Sequence, residues 1–274
     1  MAGDLGTGDL VTGDLVTGDV YAGRHRRDTG VGAVRAPVWS STMWSSRPAV
    51  NRVLAAQVVV IAKEPVPGRV KTRLTPPFTP AGAAALAEAA LTDTLAAVAG
   101  TAVARRVLAL DGRPGRWLPP GFDVIGQRGA GLDERIAWAL DDAQLTLAVP
   151  LVLIGMDTPQ VTPALLAAAA EPLVSDTADA TFGMAEDGGF WVLGLRKADP
   201  HLVLGVPMSQ PDTGAWQLAR LEQAGLRVCR LPELIDVDTV SEAERIAAAT
   251  PGSAFARCMA GLRDDAAQVA GMAR

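Results

Sequence analysis

From Gln57 onward the chain alternates between short, wholly apolar runs and longer amphipathic ones. Gln57–Ala62 (QVVVIA) is β-branched and apolar on both faces, the pattern of a strand buried inside a parallel sheet. The Ala/Leu-rich stretch Pro80–Ala99 reads as a helix, Arg106–Leu110 as the next strand and Asp123–Gly126 as a third. A helix over Leu132–Gln144 precedes Leu151–Gly155 (LVLIG), the most strand-like run in the chain. Thr162 and Pro163 supply an N-cap and a first-turn proline for a helix to Val174. Ala180–Met184 and Phe190–Leu195 read as strands around a polar turn, Asp187-Gly188-Gly189. A helix over Thr213–Ala224 stops at Gly225, a C-cap residue, ahead of a strand over Leu226–Leu231. Ser241-x-x-Glu244 predicts a capping box for a short final helix. Repeated strand–helix units with short connections imply a Rossmann-like α/β fold, a mostly parallel sheet flanked by helices. Ligands of such sheets bind beyond the carboxyl ends of the strands, so the loops there are where chemistry is expected.

The first fifty residues follow another pattern. Gly3–Ala22 repeats a five-residue unit four times (GDLGT, GDLVT, GDLVT, GDVYA), rich in Gly and Asp and poor in apolar side chains. So few coils of a pentapeptide solenoid would bury little surface, and a disordered low-complexity tail over 1–52 is expected. A single domain is then expected over 53–274, long enough to form one self-sufficient core. Met43 offers an alternative translation start that would discard the repeat.

Composition excludes several classes. The 25 Lys+Arg and 30 Asp+Glu give a net charge of −5, against a nucleic-acid coat or a polybasic membrane anchor. Two cysteines, Cys229 and Cys258, cannot form a disulfide framework, and two histidines rule out a His-rich metal site. With aromatic residues at 4%, the core must be built from Ala, Leu and Val. No uninterrupted apolar segment of membrane-spanning length and no signal-peptide pattern is seen, so a cytoplasmic location is the expectation.

Five loops carry candidate chemistry. After the first strand, Lys63, Arg69, Lys71 and Arg73 fall within eleven residues beside Gly68 and two prolines. Cations in a stiff loop beyond a strand suit a polyphosphate, Arg gripping oxygens bidentately and Lys adding a point charge. The bland alternative is a solvated cationic loop; neither a Walker A nor a GxGxxG fingerprint is present. Asp157, at the end of LVLIG, can hold Mg²⁺ with substrate phosphates completing the shell, or can cap the turn toward the Pro163 helix. Leu234–Thr239 (LIDVDT) reads as another strand end, where Asp236 and Asp238 alternate about Val237 and share one side. Either could be a second metal ligand, or both could be solvated and lead into the Ser241 cap. Asp187-Gly188-Gly189-Phe190-Trp191 is a tight turn that also lets backbone and aromatic rings approach a ligand. Gly129–Arg135 is a glycine-rich helix entry, although Asp133 and Glu134 suit the helix dipole better than they suit an anion.

The ordered motifs AKEPVPGRVKTRL, GLDERIAWAL, LIGMDTP, EDGGFWVLGL and LIDVDT, over Val58–Ile246, resemble a bacterial family of glycosyltransferase-A-like proteins in the nucleotide-diphospho-sugar transferase superfamily. More distantly they are similar to guanylyltransferases of molybdenum-cofactor and deazaflavin-cofactor synthesis. The resemblance implies a GT-A-type fold binding a nucleoside di- or triphosphate with Mg²⁺ or Mn²⁺. By motif position it implies that Lys63, Gly68, Arg69, Lys71 and Arg73 bind phosphate and that Asp157 and Asp238 hold the metal. Lys71, Arg73 and Asp157 would stabilise the leaving group, and Asp187, Gly188, Gly189 and Phe190 would face the acceptor. Phe190 stands where the family usually has Tyr, and Val206–Gln210 departs from its usual Trp-containing stretch.

The expected function is therefore Mg²⁺-dependent nucleotidyl or glycosyl transfer from a nucleoside triphosphate or nucleotide-sugar to a small-molecule acceptor. The alternative is a non-catalytic nucleotide-binding protein that retains the fold.

Overall fold

A computed structural model describes residues 52–272. The pentapeptide repeat, Met43 and the rest of the expected tail through residue 51 lie outside the described residues. The elements run β1 (Leu54–Lys63), α1 (Pro80–Gly100), β2 (Val103–Asp111), β3 (Asp123–Gly126), α2 (Leu132–Thr146), β4 (Leu151–Ile154), α3 (Pro163–Val174), β5 (Ala180–Met184), β6 (Phe190–Leu195), α4 (Thr213–Gln223), β7 (Val228–Arg230), α5 (Val240–Ala249) and α6 (Ala254–Met272).

The strands form one sheet in the order β3-β2-β1-β4-β6-β5-β7. Pairing is parallel throughout except at β6, which runs antiparallel to both β4 and β5. The expected α/β architecture, a mostly parallel sheet with flanking helices, is the one observed. Because β2 and β3 extend the sheet to one side of β1 while β4 lies on the other, the chain reverses direction at the β1–β4 pair. That switch leaves a crevice between the loops that follow these two strands.

Side chains of β1 alternate between two cores. Val58 and Val60 join Leu91, Leu95, Leu166 and Ile154 on one face, whereas Val59 joins Ile136, Leu140, Leu153 and Phe182 on the other. A third cluster, built from Leu74, Phe78, Leu86, Val237, Ile246 and Phe255, lies on α1, α5 and α6, away from the sheet. Helix α1 is long and apolar enough to cross a membrane, but 67% of that stretch is buried inside the fold. Its apolar surface is consumed by the sheet on one side and by α6 on the other.

Most element boundaries agree with the pattern of the sequence, with differences near the C-terminal end. The LIDVDT segment is not a strand end: Leu234 makes a single parallel bridge to Ala185 and the rest is loop. The final capping box is formed by Thr239 and Glu242 rather than Ser241 and Glu244, each side chain bonding the other residue's backbone N–H. Helix α6 follows and carries Cys258. Its first backbone N–H groups, Ala254 and Phe255, are capped by the Asp93 carboxylate of α1.

Candidate functional site

The loop after β1 leaves the sheet at Lys63 and turns at Gly68. A short 3-10 turn, Thr72–Leu74, then pins it, with Leu74 fully buried beneath. Lys71, just before this turn, adopts the left-handed conformation (φ 46°, ψ 41°) that an L-residue with a long side chain rarely takes. The consequence is directional. Its ammonium points into the crevice and donates to Asp157 Oδ2 at 2.7 Å and to Asp238 Oδ1 at 3.2 Å. Arg73 Nη1 donates to the other Asp238 oxygen at 2.8 Å.

The alternatives left open by residue type are thereby resolved in part. Asp157 does not cap α3; the Thr162 hydroxyl does so, accepting from Leu165 N. Val237 is buried in the third cluster while Asp236 and Asp238 both face the crevice, as their alternation predicted. Lys71 is withdrawn from solvent, whereas Arg73 is paired with Asp238 but largely exposed. Among the described residues no ion pair engages Lys63 or Arg69, so these two reach the crevice without a carboxylate partner.

Burial alone would lower the Lys71 pKa, but the adjacent Asp157 and Asp238 more than offset it, and the net direction is upward. Lys71 is thus a fixed cation at neutral pH. Asp236 is also raised, which in an acid favours the neutral form. Burial first, then the negative charges of Asp157 and Asp187, push its carboxyl up to about 8. Its Oδ1 is buried with no hydrogen-bond partner.

These groups line a cleft of about 570 Å³. All four loop cations and Asp157 line it, and so do Asp187, Gly189 and Phe190. Two expected site residues are not part of the lining. Gly68, at φ 77°, serves the turn and has open space around it. Gly188 uses its positive φ of 88° to pass a backbone rather than a ligand: a Cβ there would collide with the Pro211 carbonyl oxygen. The plain tight-turn reading accounts for Asp187 as well, since its Oδ1 accepts from Gly189 N at 2.8 Å. The glycine-rich entry of α2 likewise serves structure. Glu134 accepts from Ala130 N and Asp133 from Gly205 N, so α2 contributes only Leu132 and Ile136 to the cleft.

Sequence reasoning did not assign another part of the lining, Met208–Pro211 and Thr213, to the site. This loop folds back because the Thr213 hydroxyl bridges Pro207 O and Gln210 N, and because Gly214 N donates to Gly188 O. A positive-φ Ser209 marks the same bend. Gln127, at the end of β3, also faces the cleft and was missed; its amide ties down Ala62 O and Ala109 O.

The oxygen donors suit a hard divalent cation. Among the described residues no three His, Cys, Asp or Glu side chains converge as a complete metal-binding group. Two carboxylates, Asp157 and Asp238, nevertheless share one cation, and the orphaned oxygen of Asp236 lies in the same cleft lining. A Mg²⁺-type ion commonly takes one or two protein carboxylates and completes its shell with water and phosphate oxygens. The residues present fit that requirement.

Part of the chain and its fold are similar to known proteins. Residues 85–210 match the model of a family described as "Uncharacterized protein conserved in bacteria" (DUF2064). The motif resemblance holds. The matched span includes Asp157 and the Asp187–Phe190 turn but stops short of the cationic loop and of Asp238. A crystal structure from Desulfovibrio desulfuricans G20, named as a candidate nucleotide-diphospho-sugar transferase, is 28% identical, with a TM-score of 0.68, over 77% of this chain and 95% of its own. The 2-C-methyl-D-erythritol 4-phosphate cytidylyltransferase of Thermus thermophilus is 17% identical (TM-score 0.42, covering 76% of this chain and 99% of its own). Rv0371c of Mycobacterium tuberculosis H37Rv, solved in complex with manganese, is 21% identical (TM-score 0.43, 71% and 98%). No curated protein matches the sequence. The fold is that of the nucleotide-diphospho-sugar transferases.

Proposed function

We propose that the protein is a divalent-cation-dependent transferase acting on a nucleotide-activated substrate. The observation that carries this reading is the Lys71–Asp157–Asp238 constellation at the switch point of the sheet, where two acids and a paired ammonium face a cleft with Lys63 and Arg69 in the same lining. Asp157 and Asp238 are the residues that would hold Mg²⁺ or Mn²⁺. When bound, such an ion neutralises phosphate charge and favours departure of the leaving group.

The remaining chemistry belongs to the chain. Lys63 and Arg69 bind phosphate oxygens, and Arg73, held by Asp238, orients the end of that loop. The nucleophile comes from the acceptor, so catalysis consists of positioning and charge neutralisation, as in other phosphoryl-type transfers. Four cations on one loop favour a triphosphate donor. An acceptor phosphate oxygen would then attack the α-phosphorus and pyrophosphate would leave. Glycosyl transfer, in which an acceptor hydroxyl attacks the anomeric carbon and a nucleoside diphosphate leaves, uses the same cations. Asp187, Gly189 and Phe190, in the same lining, would face the acceptor; Phe190 packs on Phe182 with ring centroids 5.3 Å apart.

The test is thermal unfolding of the full chain and its Asp157→Asn variant with nucleoside triphosphates and nucleotide-sugars, each with and without Mg²⁺. A Mg²⁺-dependent rise in Tm with one nucleotide, absent in the variant, is expected. At a hundredfold excess over Kd it corresponds to about 2.7 kcal/mol. No shift with any nucleotide would sink the reading. Release of pyrophosphate or of nucleoside diphosphate by the same mixtures separates the two reactions, and binding without either release would favour a non-catalytic nucleotide-binding protein.

A further inference from the structure

Lys71 sits where the proposed metal would be expected to sit. Its ammonium lies 2.7 Å from one Asp157 oxygen and 3.2 Å from one Asp238 oxygen, so the same two carboxylates assigned to the cation are already bridged by a positive charge of the protein's own. The side chain is only 10% exposed and enters from a backbone held left-handed, at the start of the 3-10 turn that buries Leu74. A compact ammonium and a divalent ion placed between the same two carboxylates repel one another at short range. The two can coexist only if the ammonium finds another anion. Phosphate oxygens entering the cleft beside Lys63 and Arg69 are the anions at hand.

We propose that Lys71 is a built-in counter-ion that holds the metal site closed until a polyphosphate arrives. In the ligand-free protein it neutralises Asp157 and Asp238 and keeps a free divalent cation out. On entry of a metal–polyphosphate complex, the ammonium transfers to a phosphate oxygen and surrenders the carboxylates to the metal. Metal and polyphosphate therefore bind together, each weakly without the other. No covalent bond is made or broken; the two ion pairs of Lys71 with Asp157 and Asp238 give way to metal contacts with those carboxylates and an ammonium–phosphate pair. This rests on the assignment of Asp157 and Asp238 as the metal ligands.

The experiment follows Mn²⁺ retained by the protein in equilibrium dialysis across a membrane permeable to Mn²⁺ and to its pyrophosphate complex, with Mn²⁺ alone and with Mn²⁺ plus inorganic pyrophosphate, in the full chain and in Lys71→Met. The wild type is expected to bind Mn²⁺ weakly alone and roughly tenfold or more tightly with pyrophosphate, a coupling of ordinary allosteric size. In Lys71→Met, Mn²⁺ alone should bind roughly tenfold more tightly than in the wild type, and pyrophosphate should add little. Equal or weaker Mn²⁺ binding by Lys71→Met, with Asp157→Asn still abolishing it in the wild type, would overturn the counter-ion role and leave the metal site standing. Mn²⁺ binding that ignores Asp157→Asn under every condition would overturn both. Lys71→Gln serves if Lys71→Met unfolds. The wild type also offers a direct readout: the ¹³Cε resonance of Lys71 should shift with Mg²⁺ and pyrophosphate together but not with Mg²⁺ alone, and a full shift with Mg²⁺ alone would equally overturn the proposal.

Discussion

The carbonyl oxygen of Pro211 fills the space that a Cβ on Gly188 would need. This one approach locks the β5–β6 turn to the loop that leads into α4, and it is reinforced by the Gly214 N to Gly188 O bond of 2.8 Å. Both segments border the cleft. Gly188→Ala must therefore displace backbone as well as strain a positive φ, and we expect a loss of about 2 kcal/mol or more. Chemical denaturation measures it. Gly205→Ala, also at positive φ but in open space, should cost less.

Leu74 and Val237 belong to one buried cluster, yet they neighbour Lys71 and Asp238 along the chain. The ion pair thus rests on shared apolar packing. Leu74→Ala should cost about 3 kcal/mol through lost burial and a residual cavity. It should also weaken Mg²⁺-dependent nucleotide stabilisation, because the 3-10 turn loses its anchor. A stability loss with full retention of ligand response would show that the loop is held from elsewhere.

Lys63 and Arg69 differ from Lys71 and Arg73 in having no carboxylate partner among the described residues. Their replacement by Gln should leave Tm of the ligand-free protein nearly unchanged, since exposed charges contribute little to folding. Nucleotide affinity should fall for each variant, most clearly at low salt. Isothermal calorimetry with the nucleotide identified in the thermal screen provides the measurement.

Helix α5 separates two readings of its start. Thr239→Ala removes the hydroxyl that caps Glu242 N and should cost about 1 kcal/mol. Ser241→Ala, at the position favoured by the sequence pattern, lies inside the helix and should be nearly neutral. Equal effects would mean that the cap is not formed as described.

Arg227 donates to Asp179 and Asp176, fastening the start of β7 to the loop between α3 and β5. Its hydrogen bond holds the Asp179 carboxyl below the usual carboxylate range. A depressed acid stabilises the fold above its unfolded pKa, and that contribution disappears as pH falls through the lower folded value. The urea midpoint of Arg227→Gln should therefore lie below that of the wild type near neutral pH. The difference should shrink below about pH 4, where the unfolded carboxyl protonates. A constant gap across that range would remove Asp179 from the explanation.

What the sequence made legible was what local pattern controls. Buried parallel strands such as β1 and β4 announce themselves by unbroken apolar runs, and Thr162-Pro163 and Gly225 mark helix ends because their effects are confined to one turn. Asp157 and Asp238 were identifiable as candidates from strand-end position and alternation, but their common partner was not. Nothing local says that Lys71 will adopt a left-handed backbone and bridge both. The same holds for the N-terminal cap of α6, which is supplied by Asp93 from another helix, and for the lining at Met208–Thr213, which is shaped by contacts with the β5–β6 turn. Gly188 was read as a ligand-facing residue because its small size was visible and its neighbour was not.

The two hydrogen bonds of Lys71 span very different stretches of chain: 86 residues to Asp157 and 167 to Asp238. During synthesis the first partner emerges while much of the sheet's far edge has yet to be made, and the second only after β7. Closing the longer loop has an entropic cost that must be offset by the packing of Val237 into its cluster. The ion triad therefore joins parts of the chain made far apart: a chain that has formed β1 through β4 but not docked the segment around Asp238 would carry Lys71 and Asp157 without a finished site.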